Sequence, residues 1–342
     1  MRNRTHILLI YTGGTIGMTR HVKTKTLRPF DFGSLLENIP ELKLLDCSIE
    51  TFSFDPPIDS SNMDPDHWYK MGLLIASNYD KFDGFVILHG SDTMSYTASA
   101  LSFMLENLTK PVILTGSQLP IGDLRTDAKE NMITAIQLAA LREEDRALIQ
   151  EVGLYFEYKL YRGNRTTKIN AEHFQAFASL NYPPLAESGV HLKVFEENLW
   201  KRNARFRFKA HNSLSDKVGL LKIFPGMRPD YVRHFLNNPA LEGLVIETFG
   251  AGNAPTADWL LEILEAKIKE GLKIVNATQC SGGSVSMGQY ETSQRLKDVG
   301  LLSAKDMTTE SAITKMMYLL TKNLGDKEFK ITYETSLCGE IS

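Results

Sequence analysis

The chain has 342 residues, of which 43% are hydrophobic, so it is long enough for two globular domains with buried cores. Its 38 basic and 41 acidic side chains nearly cancel to a net charge of −3. Because no strong field of one sign surrounds the protein, the composition argues against a general binder of nucleic acids or anionic membranes. A small neutral or zwitterionic ligand is the favoured partner.

Cysteines are few and widely spaced, at Cys47, Cys280 and Cys338. An odd number without CxxC pairs argues against a disulfide framework or a cysteine metal site. The first apolar run is short and leads directly into glycines, unlike a secretory signal, and no later run approaches the roughly 18 apolar residues of a membrane span. We therefore expect a soluble cytoplasmic protein.

Apolar runs that end in glycine or polar clusters, each followed by a helical pattern, recur along the first half of the chain. They occupy 6–11, 82–92 and 110–120. This alternation is typical of an α/β fold with a mostly parallel sheet flanked by helices. After the second run, three- and four-residue spacing predicts a helix whose buried face carries Met94, Ala98, Leu101, Leu105 and Leu108.

The sequence changes character near 186–217, which is charged and lacks helical periodicity. We place a larger N-terminal domain at 1–190, a linker at 191–215 and a smaller C-terminal α/β domain at 216–342. Three further apolar runs predict a parallel sheet in the C-terminal domain, at 219–224, 241–255 and 272–284.

The linker contains "RFRFK" (205–209), in which aromatic and basic side chains alternate. A protein that binds a nucleic acid strand by charge and by stacking on the bases would carry such a pattern. A half-exposed strand with a solvated basic face is the favoured interpretation, because the rest of the chain offers no basic field.

In open parallel sheets, ligands bind outside the carboxyl ends of the strands. Three clusters of hydroxyls and glycines follow apolar runs, at Thr12–Thr15, Ser91–Thr93 and Thr115–Gln118, and we expect them to converge beside Asp92. The first cluster lacks GxGxxG spacing, and GxxxxGK[ST] is absent, so a nucleotide site would rest on glycines alone.

Histidine and lysine are the candidate bases. His89 has no HExxH or GxSxG motif around it and is expected to be a buried, hydrogen-bonded residue. Lys168, in "YRGNRTTK", would activate a hydroxyl nucleophile if burial made it neutral, because the ordinary pKa of lysine is about 10.4. The alternative is a surface lysine in a polar turn, which the local sequence favours.

Seven motifs cover nearly the whole chain in order: "YTGGTIG", "DSSNM", "VILHGSDTMSYTASALSFML", "TGSQLP", "YRGNRTTK", "GAGNAP" and "TQCSGG". This ordered set resembles the bacterial type I L-asparaginases of the asparaginase/glutaminase family. The resemblance implies hydrolysis of L-asparagine to L-aspartate and ammonia through an acyl-enzyme, without metal or cofactor. It also implies a homo-oligomer, either a dimer or a dimer of dimers.

By this resemblance, Thr15 corresponds to the nucleophile of the family. Ser91, Asp92 and Lys168 correspond to a triad of hydroxyl, acid and lysine. The family usually has "HGTDT" at the second motif, so Ser91 keeps the hydroxyl but loses the methyl group that stiffens its rotamer. We expect this change to alter the rate while preserving the function.

Substrate contacts follow from the same resemblance. A zwitterionic amino acid needs a fixed carboxylate at ammonium distance, and a charge-assisted bond of this kind contributes roughly 1.5–3 kcal/mol. Asp92 meets that need, and tight glycine turns let backbone N–H groups approach a developing oxyanion. The resemblance assigns substrate binding to Gly14, Asp59, Ser60, Ser61, Ser91, Asp92 and Ser117.

The group that takes the proton from Thr15 is open. Many family members carry a tyrosine on the loop after TGGTI, whereas here Leu27 lies near that position. Tyr290, supplied by a neighbouring subunit, is one substitute, and a tyrosine buried at an interface is the equally weighted alternative. Lys168 or water would otherwise take the proton.

A regulatory asparagine site occurs in some type I members. Thr167, Thr278 and Cys280 are the candidates for lining one here. Glu247 and Ser284, however, stand where cationic partners for a carboxylate are expected, which argues against allosteric control.

Three rivals to an L-asparaginase remain open from the sequence. One is a glutaminase-asparaginase of mixed specificity, and another is the related tRNA-linked amidase subunit. A third, from a different class, is a non-catalytic amino-acid-binding sensor, which Ser91 and the missing loop tyrosine make conceivable.

Overall fold

The computed structural model describes residues 4–20, 27–29, 39–201, 205–255, 257–288 and 291–342. The chain divides into two compact units, Met1–Asn212 (unit 1) and Ser213–Ser342 (unit 2). Each unit alternates strands and helices around its own sheet. The predicted α/β fold, with a larger mostly parallel sheet followed by a smaller parallel one, is confirmed.

Unit 1 is built on an eight-stranded sheet. Its strands are β1 (Thr5–Tyr11), β2 (Cys47–Ser53), β3 (Gly84–Leu88), β4 (Val112–Thr115), β5 (Val152–Phe156), β6 (Lys159–Arg162), β7 (Ala186–Ser188) and β8 (Leu192–Val194). They lie in the order β8-β7-β6-β5-β4-β3-β1-β2. The strands from β2 across to β5 are parallel, and β6, β7 and β8 continue the sheet antiparallel.

Helices α1 (Pro65–Asn78), α2 (Met94–Met104) and α3 (Ala128–Ala140) belong to unit 1. The central strands are nearly continuous apolar runs because a parallel strand covered on both faces has no solvent side. Every residue of β3 is buried. One core cluster joins the sheet to α3 and includes Ile7, Leu9, Val86, Ile113, Met132 and Ile136.

The structure differs from the sequence-based expectation where α2 ends. The apolar spacing predicts a helix that extends to Leu108, but α2 stops at Met104. Leu105–Glu106 then pairs antiparallel with Lys209–Ala210, and Asn107 takes a left-handed conformation with φ 57°. A pairing partner about 100 positions away in sequence therefore terminates the helix.

The "RFRFK" segment is also only partly the strand that its alternation predicts. Within it, only Lys209 lies in a strand. The Phe208 ring stacks face to face on Tyr79, with centroids 3.7 Å apart, whereas Phe206 is exposed. Packing against Tyr79 therefore gives Phe208, one of the two aromatic residues of this segment, a structural role.

Unit 1 also contains several short two-stranded ladders and 3₁₀ turns. Two-stranded ladders join Met18–Arg20 to Leu27–Pro29, Arg142–Glu143 to Arg146–Ala147, and Thr167–Lys168 to Phe177–Ala178. Single 3₁₀ turns occur at Thr15–Gly17, Pro40–Leu44, Ser60–Asn62, Gly163–Arg165 and Glu196–Asn198.

Unit 2 holds a four-stranded parallel sheet in the order β9 (Val218–Lys222), β10 (Gly243–Thr248), β11 (Lys273–Thr278) and β12 (Leu302–Ser303). Its helices are α4 (Pro229–Leu236), α5 (Asp258–Lys269), α6 (Glu291–Asp298), α7 (Thr309–Leu319) and α8 (Asp326–Tyr333), and a 3₁₀ turn lies at Leu320–Lys322. In the described ranges, no helix of either unit combines the length and the apolar character needed to cross a bilayer.

A buried ion pair anchors the end of the chain to α7. Lys315 Nζ donates to Glu340 Oε1 at 2.5 Å and to the Thr335 carbonyl at 2.7 Å. Both charged side chains are fully buried. The Glu340 carboxylate also accepts from the backbone N–H groups of Leu337 and Cys338, so its remaining acceptor capacity is used.

We predict that Lys315→Met destabilises unit 2 strongly. The change leaves Glu340 buried without its cation, which typically costs about 3–5 kcal/mol. Urea unfolding followed by circular dichroism measures the loss, and Lys315→Met combined with Glu340→Leu should recover part of it. Lys269→Ala, which removes the exposed pair with Glu265, is the control and should cost less than about 1 kcal/mol. Equal effects of the two single changes would contradict the prediction.

Candidate active site

The strand order creates a crevice at one edge of the large sheet. The chain passes from β1 to β2 on one side of β1 and then returns to β3 on the other side. In doubly wound sheets, ligands bind at such a reversal point, outside the carboxyl ends of the strands. The loops that leave β1 and β3 here carry "TGGT" (12–15) and "HGSD" (89–92). Two of the predicted clusters therefore lie at the expected position.

These loops touch one another through the backbone atoms of glycines, where no side chain stands between them. Gly13 and Gly14 have φ values of 143° and 88°. A Cβ atom on Gly14 would lie 2.5 Å from the backbone of Gly90, and one on Gly13 would lie 2.0 Å from the Ile58 carbonyl oxygen. A Cβ atom on Gly90 would in turn lie 2.4 Å from Ser60 Oγ. Only glycine permits these approaches.

The two threonines of "TGGT" differ in their surroundings. Thr12 is buried, and both its backbone N–H and its hydroxyl donate to the Leu88 carbonyl at 3.0 Å. The Thr15 side chain is partly exposed and forms no hydrogen bond with the residues that the structure describes. Thr12 is thus structural, and Thr15 has the accessible hydroxyl.

Tyr11 supports the 3₁₀ turn that Thr15 begins. Its hydroxyl donates to the Gly17 carbonyl at 3.3 Å, and it lies 3.5 Å from the Gly14 carbonyl. Burial raises the pKa of Tyr11 to about 12, so the phenol is protonated at neutral pH. Tyr11 therefore holds the turn as a hydrogen-bond donor and is unsuited to serve as a base.

A third loop, predicted to bind the ends of the substrate, lies beside these two. The Asp59 carboxylate accepts from the backbone N–H of Ser61 at 2.9 Å and from its hydroxyl at 2.8 Å. These bonds, the backbone one foremost, lower the pKa of Asp59. Ser60 is buried, and its carbonyl accepts from the Thr93 hydroxyl at 2.7 Å, which ties this loop to the start of α2.

His89 lies in a chain of hydrogen bonds beneath the crevice. Its Nδ1 is 2.7 Å from the Gly90 carbonyl, and its Nε2 is 2.9 Å from Thr97 Oγ1, which also accepts from Trp68 Nε1. Since a carbonyl only accepts, Nδ1 carries the hydrogen and Nε2 accepts from Thr97. Full burial lowers the pKa of His89 to about 4. His89 is therefore a neutral residue that fixes Gly90, in agreement with the expectation of a buried, hydrogen-bonded histidine.

Ser91, Asp92 and Lys168 form one cluster. Lys168 Nζ donates to Ser91 Oγ at 2.9 Å and to Asp92 Oδ1 at 2.7 Å. The Lys168 side chain is 17% exposed, whereas Asp92 is 64% exposed. The sequence leaves a choice between a buried neutral lysine and a surface lysine. The structure has a largely shielded lysine in an ion pair at the rim of the crevice.

Gln118 connects this cluster to the segment that follows Lys168. Its Oε1 lies 3.4 Å from the Ser91 hydroxyl, and its Nε2 donates to the carbonyls of Ala171 and His173 at 3.2 and 2.9 Å. In the sequence, Gln118 ends a hydroxyl-rich cluster, and nothing in the pattern indicates a role for it. No local signal identifies its partners, which lie more than 25 positions away in the chain.

Asp127 holds the loop that carries Gln118. The sequence alone assigns no role to Asp127 either. Its carboxylate accepts from the backbone N–H groups of Gln118 and Leu119 at 2.9 and 3.1 Å and from Asn131 Nδ2 at 3.2 Å. Asn131 Nδ2 also donates to the Gly116 carbonyl at 2.9 Å. An aspartate just before a helical pattern is a signal for a helix cap, but the sequence does not show that its target is the neighbouring loop.

Ser117 belongs to the same loop. Its side chain is 3% exposed, and its hydroxyl donates to the Leu119 carbonyl at 2.6 Å. The hydroxyl is therefore engaged within the loop. Any role for Ser117 beside a substrate amide falls to its backbone, as the resemblance implies.

The predicted regulatory residues fall in different units. Thr167 lies in the ladder of unit 1, whereas Thr278 and Cys280 lie at the end of β11 in unit 2. The Thr278 hydroxyl donates to the Gly250 carbonyl at 2.6 Å and accepts from the Cys280 backbone at 3.1 Å. On the adjacent strand β10, the Glu247 carboxylate pairs with Lys222 Nζ at 3.4 Å. Ser284, in the segment after β11, is exposed.

Two sequence-based predictions concern residues of which little is described. Tyr290 lies outside the described residues. The backbone of Leu27 pairs with Arg20, and its side chain is not described. Within the described ranges, no group of three or more His, Cys, Asp or Glu side chains is placed to hold a metal ion.

An accessible hydroxyl beside a serine, aspartate and lysine cluster is typical of hydrolases with a hydroxyl nucleophile. The "Asparaginase, N-terminal" family model matches residues 6–200, and the "Glutaminase/Asparaginase C-terminal domain" model matches residues 217–331. The chain belongs to the asparaginase/glutaminase family, so the predicted resemblance is confirmed.

Individual relatives cover nearly the whole chain. L-asparaginase 1 of Escherichia coli (strain K12) is 41% identical over 339 residues, which are 98% of each protein. The solved structure of L-asparaginase I from Vibrio cholerae matches with a TM-score of 0.89 and 41% identity over 99% of each chain. The solved structure of the thermostable L-asparaginase from Thermococcus kodakarensis matches with the same TM-score of 0.89 and 30% identity, again over 99% of each chain.

We predict that His89 makes stability fall in mild acid. Its pKa is lowered from 6.5 to about 4 by burial, so the unfolded chain binds the proton more readily, and stability is fully present above pH 6.5 and is lost as the pH falls towards 4. The difference in pKa corresponds to about 3 kcal/mol. The thermal midpoint of the native protein should rise between pH 4 and 6.5, and His89→Gln should make this rise smaller. An unchanged slope in this variant would assign the acid sensitivity to other groups.

Proposed function

We propose that the protein hydrolyses L-asparagine to L-aspartate and ammonia. The observation that carries this proposal is the Ser91, Asp92 and Lys168 cluster at the carboxyl edge of β3, where the loop of Thr15 touches Gly90. Family membership and relatives named L-asparaginases support it. Asparagine hydrolysis needs a nucleophile, a zwitterion site and proton transfer, and each has candidate groups here.

Thr15 is the proposed nucleophile. Its Oγ adds to the side-chain amide carbon of asparagine while its proton passes to a base. The tetrahedral intermediate then breaks the C–N bond, the nitrogen takes a proton, and ammonia leaves an ester on Thr15. Water hydrolyses this ester and releases aspartate. The glycine turns of the two loops allow backbone N–H groups to approach the oxyanion.

The zwitterionic end of asparagine is assigned to the rim of the crevice. Asp92 is 64% exposed and uses Oδ1 for Lys168, which leaves Oδ2 for the α-ammonium group. The lowered pKa of Asp59 keeps a second carboxylate charged near this group. The Ser60 and Ser61 hydroxyls and the loop backbone supply donors for the α-carboxylate, while the backbone of Ser117 contacts the side-chain amide.

Lys168 is the proposed proton-handling group. It already contacts the Ser91 hydroxyl at 2.9 Å, so a proton relay through Ser91 needs no rearrangement of that pair. Tyr290 and water are the alternatives that the resemblance leaves open.

We also propose that the protein is cytoplasmic and forms a homo-oligomer that binds neither nucleic acid nor membrane. All three cysteines are free thiols, which suits a reducing compartment. The oligomer, a dimer or a dimer of dimers, follows from the family resemblance, and it is the arrangement in which a neighbouring subunit would supply Tyr290.

Thr15→Val should abolish ammonia release while leaving the fold unchanged. Valine has the shape of threonine without the hydroxyl, so kcat should fall by roughly three orders of magnitude or more, and the thermal midpoint should stay within a few degrees. The assay follows ammonia with graded asparagine and, in parallel, glutamine.

Thr15→Ser is the matched control because it keeps a hydroxyl and should keep measurable turnover. Near-native activity of Thr15→Val would refute the nucleophile assignment.

Similar kcat/KM for asparagine and glutamine would identify a mixed glutaminase-asparaginase. Calorimetric binding of aspartate without turnover of either amide would identify a sensor. A sigmoidal dependence on asparagine would instead support the regulatory site of Thr167, Thr278 and Cys280.

Lys168→Met should lower kcat by several orders of magnitude because it removes the cation that contacts both Ser91 and Asp92. Stopped-time ammonia assays measure kcat, and aspartate calorimetry checks that the site still binds. Lys193→Met, which alters a largely exposed residue of β8, is the control and should match the native protein. Substantial activity in Lys168→Met would move the proton transfer to Tyr290 or to water.

A further inference from the structure

Asp127, the residue just before α3, binds a loop instead of capping its own helix. An aspartate at this position usually accepts from backbone N–H groups of the first helical turn, but the Asp127 carboxylate forms no such bond with the described residues of α3. It accepts from the Gln118 and Leu119 backbone N–H groups at 2.9 and 3.1 Å. The Thr126 hydroxyl accepts from the Ala128 backbone N–H at 3.0 Å in its place. Asp127 is therefore committed to the loop after β4.

Asn131 anchors the same loop one helical turn later. It is buried, and its Nδ2 donates to the Gly116 carbonyl at 2.9 Å and to Asp127 Oδ2 at 3.2 Å. Its Oδ1 accepts from the Glu157 backbone N–H at 3.2 Å, in the turn between β5 and β6. The two hydrogens and the oxygen of the amide each meet a group of the opposite kind, so a carboxylate or an apolar side chain would leave some of them unsatisfied. Asn131 thus joins the turns at the carboxyl ends of two neighbouring strands.

The Asp127 bond also determines which way the Ser117 carbonyl points. The peptide bond between Ser117 and Gln118 is trans, so its C=O and N–H groups point in opposite directions. Because the Gln118 N–H is directed at the Asp127 carboxylate, the Ser117 carbonyl is directed away from it. Asn131 holds the preceding carbonyl, that of Gly116, so the backbone is fixed on both sides of Ser117.

The same loop contacts the loop that carries Ser91. A Cβ atom on Gly116 would lie 2.4 Å from the His89 carbonyl oxygen, so the two backbones approach closely. Two residues later, Gln118 Oε1 lies 3.4 Å from the Ser91 hydroxyl. Ser117 lies between these two contacts. Its carbonyl therefore belongs to the wall of the crevice, and its direction bears on how a substrate is held there.

We propose that Asp127 and Asn131 are positioning residues for asparagine hydrolysis. They hold the Ser117 carbonyl as the acceptor for the side-chain amide N–H of the substrate, which orients the amide carbon towards Thr15. This role depends on the proposed function, in which the Ser117 backbone contacts that amide. Misplacement of a reacting group by about 1 Å can cost about a hundredfold in rate. Neither Asp127 nor Asn131 touches the substrate, so both act through the loop.

Asp127→Ala should lower kcat for asparagine by roughly ten- to hundredfold while leaving the affinity for aspartate nearly unchanged. The affinity is retained because the groups assigned to the α-ammonium and α-carboxylate lie on other loops. Calorimetry gives the dissociation constant of aspartate and the number of binding sites per chain, so kcat is expressed per folded site. A merely structural role would reduce the number of sites and leave kcat per site unchanged.

Two further variants complete the series. Asp127→Asn keeps the size and one acceptor oxygen, so its kcat per site should lie between those of the native protein and Asp127→Ala. Gln137→Ala changes an exposed residue of the same helix and should match the native protein in both measurements.

Native kcat per site in Asp127→Ala, or a loss of aspartate affinity as large as the loss of kcat, would overturn the positioning role. If Asp127→Ala fails to fold, the same two measurements on Asp127→Asn decide the question. A native protein that releases no ammonia from asparagine would refute the proposed function and this role together. Native activity that survives the change at Asp127 would refute the positioning role alone.

Discussion

The contact between Gly14 and Gly90 is the constraint on which the rest of the site depends. Around it, Gly13 meets the Ile58 carbonyl, and a Cβ atom on Gly116 would lie 2.4 Å from the His89 carbonyl oxygen. Loops that leave neighbouring strands normally diverge at a reversal of strand order, which leaves an open crevice. Here the backbone at these glycines closes the base of that crevice, so the loops that carry the hydroxyls are in direct contact.

The charges of the site are distributed by depth. At the base, burial keeps His89 neutral and Tyr11 protonated, and both residues act only through hydrogen bonds. At the rim, Asp92 is exposed and pairs with Lys168. An isolated buried charge is costly, so the shielded Lys168 is paired with Asp92, whose exposed carboxylate water hydrates before a ligand binds. A zwitterion that replaces this water brings charges of its own, which suits a site of this design.

The sequence predicts the features that depend on neighbouring residues. Strands, glycine turns and the order of motifs follow from local pattern, and the structure has β1 and β3 where the apolar runs lie. Features that depend on distant partners do not follow from local pattern, and it is the family resemblance that groups Lys168 with Ser91 and Asp92. Local sequence favours a surface position for Lys168, whose partner Asp92 is 76 positions away. Gln118 likewise reaches His173 across 55 positions, and only the fold brings them together.

The hydrogen bonds of Lys168 also restrict how the proposed mechanism handles protons. Lys168 donates to both Ser91 and Asp92, so it holds a proton towards each partner. To accept a proton that originates on Thr15, it must first pass one to Asp92 or back through Ser91. In the proposed mechanism, Asp92 and Lys168 therefore handle the proton as a hydrogen-bonded pair, and neither residue acts alone as the base. Gln118 links the two segments that carry this pair, because its Oε1 lies 3.4 Å from the Ser91 hydroxyl and its Nε2 donates to the His173 carbonyl after Lys168.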